Sequence, residues 1–529
     1  MDTEQQPASE DRPTPSRQSA LSAQREPFVP PGSVLDQVNG RVLDPGTALA
    51  VKDVRPRSTV YVGPRLLVSR SDQTATRVEK LQAVAEGLGW EATVHPDDER
   101  NVTDEQDPRL GVVRLELTVQ DERATIAPDG WVLLQHARAR YGIEAMSRVG
   151  LDHIVLVRSI DPNPFHGTNP FHGTNPAGGA GSAAVSSYAM AGQGGRQPIG
   201  YAGPQPVRRP DDQIVGRRPV VATLDTGCGK HPWLAGVVKP GPDLDGQPIG
   251  YVDDATDPEK WFDQVGPLDG GIDALAGHGT FIAGLIHQAC PDADIVAWRV
   301  VGSDGPVVES ALVAALADIA ETARRFRDGE EGGHPIDVLS LSMGYYHETP
   351  EDRLFDPTMY DILRRLGECG VSVVCSAGND ATARPMFPAA FAPWADGAGG
   401  VQPETGVVPI MSVGALNPNG TDALFSNAGP WVRAYAPGAA VMSTMPEFQG
   451  GLEPAARTEA YARRRESLDP DDYTSGFALW SGTSFAAPLF AGQVAAELTD
   501  RIDPEDDGRT AAVARSWEAL SVLTDLRPS

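Results

Sequence analysis

RPVVATLD, residues 218–225, is a short apolar run that ends on a carboxylate and is followed at once by Thr226 and Gly227. A run of this length with no alternating polar positions reads as a strand buried on both faces, which is what a parallel sheet covered by helices requires. The pattern returns outward from it. ADIVAWRVV (293–301), IDVLSLSM (336–343) and VSVVCSAG (371–378) have strand character, and VVESALVAALADIAETARRF (307–326) and TMYDILRRLGECG (358–370) have helical character between them. Strands alternating with helices predict an α/β domain with helices on both faces of a parallel sheet. In such a sheet, functional groups are expected at the carboxyl ends of strands and at the adjoining helix starts.

Upstream the order of elements differs. STVYVGPRLLVS (58–69) reads as a strand, and TRVEKLQAVAEGLGW (76–90) as a helix with Val78, Leu81, Val84, Ala85 and Leu88 on one face. Then come a short strand in EATVHP (91–96), an alternating strand in GVVRLELTV (111–119), a helix in WVLLQHARARYG (131–142) and a strand in LDHIVLVRS (151–159). The sequence β-α-β-β-α-β predicts a small α+β domain of ferredoxin-like arrangement. The chain is therefore divided into a disordered tail (1–35), this α+β domain (36–160), a Gly/Pro/Ala-rich linker (161–217), the α/β domain (218–505) and a C-terminal segment (506–529). The linker holds the tandem repeat PFHGTNPFHGTNP (164–176), whose two histidines read as solvated turn residues because no further ligand accompanies them.

Two domains suit a chain of 529 residues. A formal charge of -28 argues against nucleic acid or an anionic membrane surface as a partner, since a polyanion is repelled by the averaged field. No apolar run reaches the roughly 18 residues that a membrane span needs, and residues 1–33 lack the apolar core of a secretory signal. The expected compartment is the cytoplasm, where Cys228, Cys290, Cys369 and Cys375 would remain thiols.

Four local contexts carry chemistry. Asp225 closes a strand beside a tight turn, which alone is an ordinary turn residue. His278 opens the amphipathic helix GHGTFIAGLIHQA between Gly277 and Gly279, and Ser484 opens the Ala-rich helix in SGTSFAAPLFAGQVAAEL (481–498). Capping that second helix needs one hydroxyl, yet Ser481, Thr483 and Ser484 supply three. Asn379 follows the strand VSVVCSAG and could aim an amide donor at a developing oxyanion, an interaction of about 3 to 4 kcal/mol. Each residue taken singly has a bland explanation.

Taken together, DTG, HGTxxAG, AGN and GTSxAAP occur in the order Asp, His, Asn, Ser over roughly residues 216–500, and this constellation resembles the subtilase (peptidase S8) family. The resemblance implies a subtilisin-like fold and a serine endopeptidase with Asp225, His278 and Ser484 as catalytic triad and Asn379 in the oxyanion hole. It further implies that Ser342, Met343 and Gly344 form the strand that pairs with substrate backbone, that Ser376, Ala377 and Gly378 wall the specificity pocket with Asp380 near its rim, and that the Phe387-Pro388 bond is cis. The partner is a polypeptide substrate, and no cofactor is required. Calcium is frequent in the family, but the acidic stretch YVDDATDPEKWFDQVGPLDGGID (251–273) shows no ligand spacing that assigns a site, so no metal ligand is named.

The chain departs from small relatives in PEFQGGLEPAARTEAYARRRESLDPDDYTSG (446–476), a charged insertion of partly helical composition beside the nucleophile. In element order the N-terminal domain resembles the propeptide that relatives use as folding chaperone and inhibitor, so it is expected to contact and restrain the catalytic domain; the alternative is a recruiting or sensing module that switches the protease. The competing reading is a catalytically silent scaffold that keeps the fold for binding; its usual mark, loss of a triad residue, is missing.

Overall fold

The computed structural model describes residues 26–103, 110–120, 126–157, 188, 190, 194–266, 268–303, 305–349, 357–397, 401–451 and 454–528. The tandem repeat at 164–176 lies outside the described residues.

The N-terminal unit runs β1 (Gly40–Leu43), β2 (Thr59–Ser69), α1 (Thr74–Gly87), β3 (Trp90–Val94), β4 (Val112–Val119), α2 (Gly130–Tyr141) and β5 (Val149–Val157). Its sheet order is β5-β2-β4-β3, with every pair antiparallel. One face is covered by α1 and α2, where Leu66, Val68, Leu81, Trp90, Leu115 and Leu134 form a core of their own. From the other face Leu67, Val112, Val155 and Val157 pack into a second core that belongs largely to the α/β unit. Burial on both faces explains why β5 reads VGLDHIVLV with almost no exposed position.

The second unit is built on β6 (Val220–Asp225), β7 (Val238–Pro240), α3 (His278–Ala289), β8 (Asp294–Arg299), β9 (Pro306–Val308), α4 (Glu309–Asp328), β10 (Val338–Leu341), β11 (Met343–Gly344), α5 (Pro357–Glu368), β12 (Ser372–Ser376), β13 (Met411–Leu416), β14 (Ala434–Pro437), β15 (Arg457–Ala460), β16 (Arg463–Glu466), α6 (Thr483–Leu498) and α7 (Arg509–Leu523). Seven strands make a sheet in the order β14-β13-β12-β10-β6-β8-β7, all pairs parallel. The chain enters at β6, winds out to β8 on one side and then crosses to β10 on the other. The β6/β10 boundary is therefore the topological switch point, where the connections leave a crevice at the strand ends. Separate apolar clusters cover the two faces, one with Leu312, Leu316 and Ile362 and the other with Phe281, Ile282 and Val494. No helix among the described residues is long and apolar enough to cross a membrane.

Two details depart from the composition-based reading. The insertion after Thr444 forms the exposed antiparallel ribbon β15/β16 where helix was expected. Tyr461 and Ala462 both adopt left-handed backbone between its strands, the geometry of a two-residue hairpin turn. Residues 194–217, within the stretch read as linker, pack on the α/β unit. Arg196 donates to the carbonyls of Ile272 and Asp273 and lies over the Trp480 ring, while Arg217 grips Asp337 with both terminal nitrogens. The Phe387-Pro388 bond is cis, and the four cysteines are free thiols.

The two units meet through strands. β5 pairs antiparallel with β9, placing Leu156 opposite Pro306, and also with β11, placing Val157 opposite Met343.

Candidate active site

Asp225 is the last residue of β6, and its carbonyl takes the N–H of Val300 and Val301, which secures the strand end to the chain leaving β8. Its Oδ1 accepts the N–H of Thr226 at 2.8 Å and lies 2.7 Å from His278 Nδ1. A protonated Nδ1 satisfies that contact by donating to the carboxylate. The imidazole is buried, and its Nε2 has no hydrogen-bond partner among the described residues. Trp480 and Phe485 wall the ring at 5.7 and 5.3 Å between centroids.

The glycines around His278 have a steric cause. Gly277, the residue before the helix, is left-handed at φ 79°. A Cβ on Gly279 would stand 2.0 Å from the Gly227 carbonyl, so the start of α3 approaches the turn after Asp225 too closely for any side chain.

Ser484 sits in the first turn of α6, and its carbonyl accepts Ser342 Oγ at 2.9 Å. Its hydroxyl donates toward the Ser342 carbonyl at 3.4 Å. Asn379 follows β12, and its Oδ1 accepts both the N–H and the hydroxyl of Thr483, at 2.8 and 2.9 Å. Gly378 donates to Thr483 Oγ1 at 3.0 Å in a left-handed conformation at φ 102°. Thr483, noted in the sequence as a surplus hydroxyl but given no role, thus anchors Gly378 and Asn379. Its only signal was the surplus hydroxyl in SGTS.

One cleft is lined by Ser342, Met343, Gly344, Ser376, Gly378, Asn379 and Ser484, with Leu156 of β5 entering from the N-terminal unit. Ala377 belongs instead to the core, its carbonyl accepting Asn427 Nδ2. Asp380 lines the cleft but is engaged: Oδ2 accepts Tyr346 Oη at 2.7 Å, and Oδ1 accepts the Phe28 N–H at 3.3 Å.

A second polar cluster lies where the units join. His153 of β5 places Nδ1 2.6 Å from Glu309 Oε2 and Nε2 2.8 Å from Glu348 Oε2, all three buried, with Tyr345 stacked on the ring at 4.5 Å. Burial alone would lower the imidazole, but the charges and hydrogen bonds of Glu309 and Glu348 outweigh it and push it up to about 10. Burial would raise the Glu348 carboxyl, yet the hydrogen bond and the charge of His153 hold it well below the usual range. Burial keeps the adjacent His347 neutral, at about 3. One position along β5, Asp152 accepts the N–H and hydroxyl of Ser310 at 2.9 and 2.8 Å, capping the start of α4.

The acidic stretch at 251–273 gathers no group of three potential metal ligands among its described residues. Its carboxylates turn to local donors: Asp253 to Ala255 N–H, Asp257 to Glu259 N–H, Asp263 to Gly270 N–H, and Asp273 to the N–H groups of Gln264 and Val265. His153, His347 and Glu348 are the one group of three potential metal ligands among the described residues, and two imidazoles are poor calcium ligands.

Residues 216–512 match the model of the subtilase family. An intracellular serine protease of Paenibacillus polymyxa is 25% identical over 299 residues, spanning 54% of this chain and 68% of that protein. The major intracellular serine protease of Bacillus subtilis is 23% identical over 316 residues, 56% of this chain and 80% of its own length. An extracellular protease of Xanthomonas campestris is 26% identical over 310 residues, 54% of this chain and 44% of that protein.

Proposed function

The chain belongs to the subtilase family of serine endopeptidases, and from that premise we propose that Asp225, His278 and Ser484 are its catalytic triad and Asn379 its oxyanion donor. The observation that carries this reading is the state of His278, locked on Asp225 through Nδ1 with Nε2 left open beside the helix that bears Ser484. In the reaction Ser484 Oγ attacks the scissile carbonyl while His278 Nε2 takes its proton. His278 then returns that proton to the leaving amine, and Asp225 stabilises the ring while it is cationic. The oxyanion is received by Asn379 Nδ2 and the Ser484 backbone N–H. Catalytic hydrogen bonds tighten when substrate is bound, so the Ser484 hydroxyl turning from the Ser342 carbonyl to His278 is part of the mechanism.

The same reading makes the N-terminal unit a ferredoxin-like inhibitor of propeptide type that covers residues 36–160. β5 lies antiparallel between β9 and β11, which is how an extended substrate would dock by strand addition, and Leu156 reaches the cleft that holds Ser484. Asp152 on the α4 start and His153 between Glu309 and Glu348 support a specific mode of docking. Ser342, Met343 and Gly344 then serve as the substrate-pairing strand, and Ser376 and Gly378 as walls of the specificity pocket. Cleavage falls between residues 160 and 217. The relatives from P. polymyxa and B. subtilis support an intracellular site of action, which fractionation of the source cells tests.

Fluorophosphonate labelling tests the triad directly. Wild-type protein is expected to label and Ser484→Ala protein not to; an absence of labelling under every condition would favour the silent scaffold.

A further inference from the structure

We propose that Glu259, in the acidic stretch ahead of the histidine helix, is a positioning residue for the Asp225–His278 pair: its carboxylate ties the turn after Asp225 to the first turn of α3, and its charge supports the His278 ring while that ring is cationic. The inference rests on the triad reading above and extends it to a residue that no motif contains.

Glu259 is 3% exposed. Its Oε1 accepts Thr226 Oγ1 at 2.5 Å and the Gly279 N–H at 2.9 Å, with the Thr280 N–H at 3.4 Å. Its Oε2 accepts the Thr280 hydroxyl. Thr226 donates its own N–H to Asp225 Oδ1, and Thr226 Oγ1 also receives the Gly279 N–H at 2.7 Å. Thr280 Oγ1 in turn accepts the Gly229 N–H at 2.7 Å. One carboxylate therefore joins the residue after Asp225 to the two residues after His278, and it answers backbone donors that a helix start otherwise leaves unsatisfied. The turn that presents it is fastened next to His278, since Gly277 donates its N–H to the Pro258 carbonyl at 3.2 Å.

Capping alone does not account for this arrangement. A serine, threonine or aspartate at the residue before the helix would supply a cap with little burial, whereas a carboxylate taken out of water carries a large desolvation cost. Glu259 has no salt-bridge partner among the described residues. What its position adds is a second negative charge in the network that holds the imidazole, alongside Asp225.

The groups that face it are Asp257 on its own turn, Asp225 at the end of β6 and Cys228 on the loop beyond; Arg299 also flanks Gly227. Burial pushes the Glu259 carboxyl up, hydrogen bonds from Thr226 and Thr280 hold it down, and the charges of Asp257 and Asp225 push it further, to about 7. The group is neutral below that pH and anionic above it, so its support for a cationic ring is gained as pH rises through neutrality.

The test is fluorophosphonate inactivation of the full chain as a function of reagent concentration and pH, which separates the maximal rate from the half-saturating concentration. Glu259→Gln keeps the size and the acceptor oxygen but not the charge. It is expected to lower the maximal rate about tenfold with half-saturation unchanged, and to make the rise in rate over about pH 6 to 8 shallower by one ionisation. Glu259→Asp, which keeps the charge on a shorter arm, is expected to restore the second ionisation at a reduced maximal rate. The inference is overturned if Glu259→Gln retains the wild-type rate and pH profile, or if its loss of rate tracks a fall in Tm while the profile stays that of wild type. Labelling that survives Ser484→Ala would remove the triad reading itself, whatever the Glu259 variants do.

Discussion

Two buried histidines in this protein hold a carboxylate at the same ring nitrogen. His278 Nδ1 meets Asp225 at 2.7 Å, and His153 Nδ1 meets Glu309 at 2.6 Å. They differ at the other nitrogen. His278 Nε2 is unpartnered among the described residues, whereas His153 Nε2 is closed at 2.8 Å by Glu348. A carboxylate on one side orients the ring and leaves a base that can take a proton. Carboxylates on both sides hold the ring as a cation, and it becomes a clamp. Burial and residue type are alike, so the difference between the two rings lies in one additional oxygen.

The largest effect that could break this comparison is His278→Ala. Labelling of Ser484 is expected to fall by about 10⁴-fold or more, while hydrogen exchange at Val155 in β5 stays as in wild type. Loss of protection at β5 would mean that the two histidines are not separate devices. Asn379→Ala comes next, with a fall of about 10²- to 10³-fold in the maximal labelling rate and no change in the docking of β5. A loss below tenfold would move the oxyanion donor elsewhere.

The His153 clamp is sharpened by His153→Gln, which removes the cation and leaves Glu309 and Glu348 facing an uncharged amide. Breaking a buried pair from one side costs about 3 to 5 kcal/mol, so Tm should fall, β5 should exchange faster and Ser484 should label faster. Equal labelling in the variant and the wild type would separate docking from inhibition.

The smallest effect is that of pH. A ring raised from 6.5 to about 10 stabilises docking fully below pH 6.5 and loses that contribution as pH rises through about 10. Protection at β5 should therefore decline from neutral to alkaline pH in wild type and remain flat in His153→Gln. Glu309, Glu348 and neutral His347 surround the ring, and Arg138 and Arg384 act through Glu348 and His347; Glu348, held well below the usual range, stays ionised throughout that interval.

The parallel sheet was legible in RPVVATLD and its repeats because a strand buried on both faces must be apolar throughout, and β6 is buried at every position. From β2 to β5 the order of elements was legible from strand composition and helical period, whereas β1 at Gly40–Leu43 was not. The β15/β16 ribbon was misread as helix because Arg, Glu and Ala favour helices on propensity, while the left-handed pair Tyr461 and Ala462 that makes the turn has no glycine or asparagine to announce it. The packed part of the linker was missed because arginines that grip carbonyls and carboxylates carry no periodic signature.

What the sequence determined by itself is the set of short contexts around Asp225, His278, Asn379 and Ser484. Each leaves a mark on a single residue, such as Gly277 at positive φ, or Gly279, which has no room for a Cβ against the Gly227 carbonyl. Tertiary structure alone decided which edge β5 covers, which carboxylates close on His153 from 156 and 195 residues away, and that Glu259 joins the two sides of the Asp225–His278 pair. A backbone strained at one residue restricts which amino acid can stand there, and so it shows in the sequence. A buried charge is answered by whatever group the fold brings near, and that group can come from anywhere in the chain.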